Sequence, residues 1–350
     1  MSQIAWWPYK RDLRGASIRL RAVVPMQTLR ARGLDVGWFD PDNADGTRLV
    51  ILGKRYDHDS LSTVITLQQR GIKVALDLCD NHFYNPTGKP EWSRRAESLR
   101  AMVQQVDHVI ASTPALADVV AQESEERTPV NVIGDPADQL ELVPSRFKDR
   151  WLEPRRQDRF LKRLQALRAD GHCLLVWFGN HGVPYADGGM LDLLALQPIL
   201  ERLHSHHPIA LTIISNSREK YEQSIRPWAI PTLYADWHAL SFEPLMQAQD
   251  IALIPVGDNL FTRCKTDNRV ASSLRYGLAV VADPVPSYLP YADCIRLGDW
   301  EPALSQLVTD AEYRRRLAAS GQQLARARSA PETIADQWQA LFEQLNVLAT

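Results

Sequence analysis

Short runs of β-branched and aromatic residues recur along this chain, each followed by a longer amphipathic stretch, and few folds accommodate that alternation. In the first half the runs are IAWWPY (4–9), DVGWFD (35–40), RLVILGK (48–54), IKVALDLC (72–79), HVIAST (108–113) and VNVIGD (130–135). After residue 171 they resume with LLVWFGN (174–180), IALTIIS (209–215), IPTLYAD (230–236), IALIPV (251–256), LAVVAD (278–283) and CIRLGD (294–299). Strands joined by helical crossovers pair in parallel, so each set of six predicts one α/β sheet with helices on both faces. Residues 139–171 are charged and helical in pattern, around Phe160, Leu161, Leu164 and Leu167, with no strand candidate, which marks a junction. The fold expected is α/β, with two Rossmann-like doubly wound domains facing a cleft: residues 1–150, residues 151–330, and a C-terminal helix over 331–350 that packs back on the first domain. A continuous helical tail is expected from Glu301 onward, carrying Leu304, Leu307, Leu317 and Leu324. Near the N-terminus, Leu20, Val23, Val24 and Leu29 define one helix that Gly33 closes.

Composition removes several function classes. With 350 residues, 45% of them hydrophobic, the chain buries a core large enough for two domains. Its formal net charge of −2 supplies no global field for nucleic acid, and nothing in the composition indicates peripheral membrane contact. Any anion must therefore be met locally. The four cysteines, Cys79, Cys173, Cys264 and Cys294, are far apart, which argues against a disulfide framework or a zinc ribbon. With no signal-peptide pattern and no apolar run of membrane-spanning length, the chain reads as cytoplasmic. The HSHH run at 204–207 ends a helix before Pro208 and reads as surface capping rather than a metal site. Neither GxxxxGK[ST] nor GxGxxG occurs, which disfavours ATPase and dinucleotide chemistry.

The segment RCKTDNRVASSLRYGLAVVAD, residues 263–283, concentrates charge at a helix start. Thr266 and Asp267 are placed to cap a helix whose Val270, Ala271 and Leu274 share a face and which Gly277 ends. Lys265, Asn268 and Arg269 then lie at its amino end, where unpaired N–H groups and the dipole favour an anion such as phosphate. Elsewhere, Gly15 and Ala16 allow close backbone approach in the LRGASIRLR loop, with Arg19 and Arg21 behind them. Asp77, Asp80 and His82 follow a strand end, where Asp80 or His82 is a candidate general base; capping of the loop by Asp80 is the competing role. Gly179, Asn180, His181 and Gly182 form a loop after a buried strand.

These segments carry a resemblance. SSLRYGLAVVADPVPSY is similar to the donor-nucleotide region of GT-B glycosyltransferases, especially the group containing bacterial polysaccharide and O-antigen enzymes. LVWFGNHG resembles the first strand and glycine loop of their C-terminal domain, VDHVIASTPALADVV followed by VNVIGDPAD the end of their N-terminal domain, and RGASIRLR their first glycine loop. Where that group carries two glutamates eight residues apart, alignment on Gly277 puts Cys264 and Ser272. The resemblance implies a metal-independent glycosyltransferase of polysaccharide biosynthesis with no separate cofactor. Its nucleotide-sugar donor would meet Gly15, Ala16, Arg19, Gly179, Asn180, His181, Ser215, Asn216, Lys265, Asn268, Arg269 and Ser272. Asp80, His82, Lys265 and Arg269 would serve catalysis. The acceptor would be a glycan, a lipid-linked sugar or a small molecule. DxD triplets occur at Asp40-Pro41-Asp42 and Asp57-His58-Asp59, whereas the resemblance implies that protein cations rather than a metal stabilise the leaving diphosphate. A noncatalytic nucleotide-sugar sensor and a nucleotide-sugar epimerase are the alternatives on the same architecture.

Overall fold

A computed structural model describes residues 2–186 and 188–348. All twelve expected strands form, in two separate six-stranded sheets that are parallel throughout. The first contains β1 (Ile4–Pro8), β2 (Val36–Trp38), β3 (Leu49–Gly53), β4 (Lys73–Leu78), β5 (His108–Ala111) and β6 (Val130–Val132), in the order β2-β1-β3-β4-β5-β6. The second contains β7 (Cys173–Phe178), β8 (Ile209–Ser215), β9 (Thr232–Asp236), β10 (Ile251–Ile254), β11 (Ala279–Ala282) and β12 (Arg296–Leu297), in the order β12-β11-β10-β7-β8-β9.

The strands read as unbroken apolar runs because helices cover both faces of each sheet. In the first sheet Ile4, Trp6 and Ile51 face one cluster with Leu29, Trp338 and Phe342, while Ala5, Val50 and Leu52 face another with Leu99, Met102 and Val103. Trp6 meets Trp338 edge-on, with ring centroids 5.4 Å apart. In the second sheet Leu175, Trp177, Leu211, Ile213 and Leu253 pack with Leu304 and Leu307.

The chain divides into two compact units. One holds the N-terminal residues through Leu142, the segment Arg263–Thr266, and the chain from Arg328 on; the other holds Val143–Thr262 and Asp267–Ala327. Two sequence expectations need correction. The tail from Glu301 is three helices, Trp300–Thr309, Ala311–Arg328 and Pro331–Gln344, because Asp310 leaves helical geometry to cap the second (Tyr313 N to Asp310 Oδ1, 2.8 Å) and Pro331 can only open the third. The helix expected around residues 18–33 is Ala16–Ile18, a π-helical turn over Arg19–Val23, then Val24–Ala31. Gly277, at φ +83°, ends the helix Asn268–Arg275 as expected. Among the described residues no helix is long and apolar enough to cross a membrane, and no group of three or more His, Cys, Asp or Glu is arranged to hold a metal ion.

Candidate active site

Parallel α/β sheets bind ligands beyond the carboxyl ends of strands where the strand order reverses, because crossovers on either side leave a crevice there. The first sheet reverses between β1 and β3, the second between β7 and β10.

At the first reversal a cavity of about 280 Å3 opens beside the ends of β1, β3 and β4, lined by Tyr9, Gly15, Ser17, Ile18, Gly53 and Lys54 among others. Arg21 also borders it, with its guanidinium buried. That guanidinium pairs with Asp77 at 2.6 Å and Asp135 at 2.9 Å, and donates to the carbonyls of Ile133 (2.7 Å) and Gly134 (2.9 Å). Burial opposes its charge, yet the two carboxylates hold its pKa above the ordinary arginine value. Arg19 is likewise turned inward: it is 1% exposed, forked onto Asp138 at 2.6 and 2.7 Å, and donates to Leu13 O. The π turn is where both arginines leave solvent, a distortion that recurs at functional sites. The expected donor contact of Arg19 thus meets a guanidinium already engaged by a carboxylate. Gly15 borders the cavity, and Ala16 opens the short helix beside it.

Asp80 and His82, the expected base candidates, lie in the same unit. Asp80 sits between Lys54 Nζ at 2.5 Å and Lys265 Nζ at 2.8 Å. Although burial alone would raise its pKa, the two ammonium groups hold it well below the usual carboxylate range. His82 is 7% exposed and its Nδ1 shares a 2.6 Å hydrogen bond with Tyr56 Oη. Burial pushes its pKa down to about 3. Asp80 is thus held as the anion between two ammonium groups, and His82 as the neutral ring.

His82 also gives a pH prediction with a fixed sign. An unfolded histidine protonates below about pH 6.5, whereas the folded ring stays neutral down to about 3, so stability falls as pH drops through that window. By pH 4.5 the loss from this residue is about 2–3 kcal/mol. His82→Gln should flatten that part of the profile; an unchanged slope of urea-derived stability between pH 7 and 4.5 would remove His82 as its source.

At the second reversal, the loop after β7 is pinned from below. Ser215 Oγ donates to Gly179 O at 2.8 Å, and Asn216 Oδ1 accepts from His181 N at 2.9 Å. Asn180 Oδ1 accepts from Gly182 N at 3.1 Å, and Lys220 Nζ donates to His181 O at 3.1 Å. A second glycine pair lies against this loop. Gly189 has φ +101°, and a Cβ there would stand 2.7 Å from both Gly182 N and His181 O, so only glycine fits. Asp192 Oδ2 accepts from Gly189 N at 2.9 Å and holds that approach.

Arg269, in the first turn of the helix Asn268–Arg275, lies over Trp177 and Phe178, with Cζ 5.1 and 5.7 Å from the ring centroids. A Cβ on Gly179 would be 3.8 Å from its Nε. Its Nε and Nη2 are out of solvent with no hydrogen-bond partner, and burial lowers its pKa against the opposing pull of Tyr288 and Asp192. Gly179, Asn180, His181, Ser215, Asn216 and Arg269 are thus brought together as the sequence suggested. Asn268 opens the same helix and Ser272, half-buried, follows one turn later.

Lys265, expected to join Arg269 at one phosphate, lies in the segment Arg263–Thr266 of the first unit, where Thr113 Oγ1 donates to Cys264 O at 3.2 Å and Lys265 pairs with Asp80. Cys264 and Ser272, aligned together by Gly277, therefore fall in different units. Asp267 stands at the helix N-cap without a side-chain capping bond, its carboxylate accepting instead from Tyr291 Oη at 2.8 Å. Sequence reasoning also passed over Lys54, whose left-handed backbone (φ +50°) directly after β3 is the kind of strain found at functional positions. Its only sequence signal was the Gly53-Lys54 pair closing a strand. Lys220 and Asp192, two further supports of the second loop, carried no local signal at all.

Two parallel sheets in these strand orders, each with a loop cluster at its point of reversal, define the two-Rossmann architecture of GT-B glycosyltransferases. Among solved structures, that of Anabaena HepE in complex with UDP matches with a TM-score of 0.65 over 98% of this chain and 100% of the other, at 14% identity. Sucrose-phosphate synthase from Thermosynechococcus elongatus matches at 0.60 over 95% of this chain and 79% of the other, also at 14% identity. A mutant of S. aureus TarM, in complex with fondaparinux, alpha-GlcNAc-glycerol and UDP, matches at 0.57 and 10% identity over 84% of this chain, which spans 55% of the TarM chain. At these identities the likeness establishes the fold. No protein-family model and no curated protein sequence matches the chain.

Proposed function

We propose that this protein is a cytoplasmic glycosyltransferase that moves a sugar from a nucleotide-diphosphate donor to an acceptor hydroxyl without a bound metal. The observation that carries the reading is Arg269, a half-buried arginine whose Nε and Nη2 are out of solvent and without a hydrogen-bond partner beside the pinned glycine loop 179–182. The negative charge of a departing diphosphate is the partner such a group suits, and in a dry site the interaction strengthens as that charge develops. HepE is described in complex with UDP, with UDP-glucose, and with UDP and glucose, which supports a nucleotide-sugar donor here. The acceptor, a glycan, lipid-linked sugar or small molecule, is assigned to the cavity of the first unit. Asp80 is given a structural role as the anion between Lys54 and Lys265, so the acceptor proton would leave by a route other than Asp80 or His82.

A noncatalytic nucleotide-sugar binder is the second reading, favoured by Cys264 and Ser272 at the positions where the resembling group has glutamates. Purified protein incubated with a panel of nucleotide sugars separates the cases. Release of nucleoside diphosphate only on adding acceptor marks the transferase, binding without release marks the binder, and sugar interconversion without acceptor marks an epimerase.

Gly15 tests the acceptor side. Its φ of −76° suits any residue, and an added Cβ would press on Asp12 O at 3.3 Å, a contact that a shift of the loop by a few tenths of an ångström relieves, while valine's methyls crowd the cavity. Gly15→Val should lower kcat/KM for the acceptor about tenfold or more with little change in melting temperature. Unchanged kinetics would return this loop to a plain turn.

A further inference from the structure

The helix Phe147–Ala169 carries a surface that the proposed transfer reaction does not use. It packs inward through Glu153, Phe160 and Leu164. On the outward side Phe147 is 91% exposed and Trp151, one turn later, 66% exposed, the two aromatic side chains that stand furthest into solvent among the described residues. Leu152 beside them is 40% exposed. The Arg155 guanidinium covers the Trp151 ring, its Cζ 3.7 Å from the centroid. Arg155, Asp158, Arg159 and Lys162 continue along the exposed surface and line a shallow groove with Pro154. The helix holds eight Lys and Arg residues against three carboxylates, one of which, Glu153, is turned into the core, although the whole chain has a net charge of −2. Exposed aromatics on a cationic helix cost solvation in water, and they are stabilised where apolar side chains enter an acyl boundary while long cations reach anionic headgroups.

We infer that the Phe147–Ala169 helix docks on an anionic lipid surface, with Phe147 and Trp151 inserted at the headgroup boundary and Lys148, Arg155, Arg159 and Lys162 paired to phosphate. A second copy of this chain is a poor occupant, because a two-fold contact would face this cationic surface with itself. Nucleic acid would satisfy the cations and leave Phe147, at the end of the helix, in water. This inference stands independently of the transfer reaction proposed above.

The test is co-sedimentation of the full chain with phosphatidylcholine vesicles, with and without about one-third phosphatidylglycerol. Binding is expected only to the anionic vesicles. Replacing both aromatics (Phe147→Ser with Trp151→Ser) should weaken partition about tenfold or more, and Lys148→Gln, Arg155→Gln and Lys162→Gln about fivefold each at low salt. All five side chains are on the surface, so melting temperatures should match the parent protein. Three results would overturn the inference: no binding to anionic vesicles, binding that survives loss of both aromatics undiminished, or binding to duplex DNA at least as tight as to vesicles and insensitive to Phe147 and Trp151.

Discussion

Arg269→Ala is expected to weaken binding of a nucleoside diphosphate by about ten- to a hundredfold, while binding of the free nucleoside changes little. A charge-assisted contact to phosphate contributes roughly 1.5–3 kcal/mol, and the nucleoside has no phosphate to lose. Nε and Nη2 of Arg269 are out of solvent and have no hydrogen-bond partner, so the arginine can turn its charge on a ligand without first breaking a hydrogen bond at either nitrogen. The control is needed because the same guanidinium lies on Trp177 and Phe178 and contributes packing as well as charge. Calorimetric titration of both ligands into the variant separates the roles. Equal losses for the two ligands, or a lowered melting temperature with no discrimination between them, would assign Arg269 to packing alone. Arg269→Lys should recover only part of the affinity, since an ammonium keeps the charge but neither the planar stacking nor the second N–H edge.

The largest stability effect is expected at Arg21. Its guanidinium serves Asp77, Asp135 and two backbone carbonyls at once, with all three charged side chains at most 5% exposed. Replacement by methionine keeps much of the volume but strands two buried carboxylates, a loss of about 3–5 kcal/mol. Urea denaturation followed by circular dichroism measures it. Removing the carboxylates as well, with Asp77→Leu and Asp135→Leu in the Arg21→Met background, should recover part of the loss, because an apolar cluster has no uncompensated charge. A triple variant no more stable than the single one would show that the arginine's carbonyl contacts, not its ion pairs, hold this region. The same cluster underlies the floor of the first cavity, so the single variant should also lose acceptor-dependent turnover.

The strand runs were legible because both faces of each sheet are covered, which leaves an apolar signature that local inspection detects without knowing the partners. RLVILGK and IALTIIS contain the observed strands Leu49–Gly53 and Ile209–Ser215. Gly33 and Gly277 marked helix ends for an equally local reason, a backbone turn with positive φ. Part of the second site was legible too, since Gly179 to Gly182 directly follow a strand, and Ser215 and Asn216 close the next one. Its supports were not: Lys220 reaches His181 O from 39 residues away, and no pattern within a helix or strand announces such a bond.

From sequence alone came the two sets of six parallel strands, the helices between them, and the glycine loops at strand ends, all consequences of burial periodicity and backbone freedom within a few residues. Tertiary structure decided which charges meet. Arg21 finds Asp77 across 56 residues and Asp135 across 114, turning an arginine placed only behind the first glycine loop into the centre of a buried ion cluster. Lys265 finds Asp80 across 185 residues and is grouped in a different unit from Arg269 only four positions later. The physical reason is that apolar burial repeats with the local geometry of helix and strand, whereas the stability of a buried charge depends on a partner whose position is set only when distant segments pack.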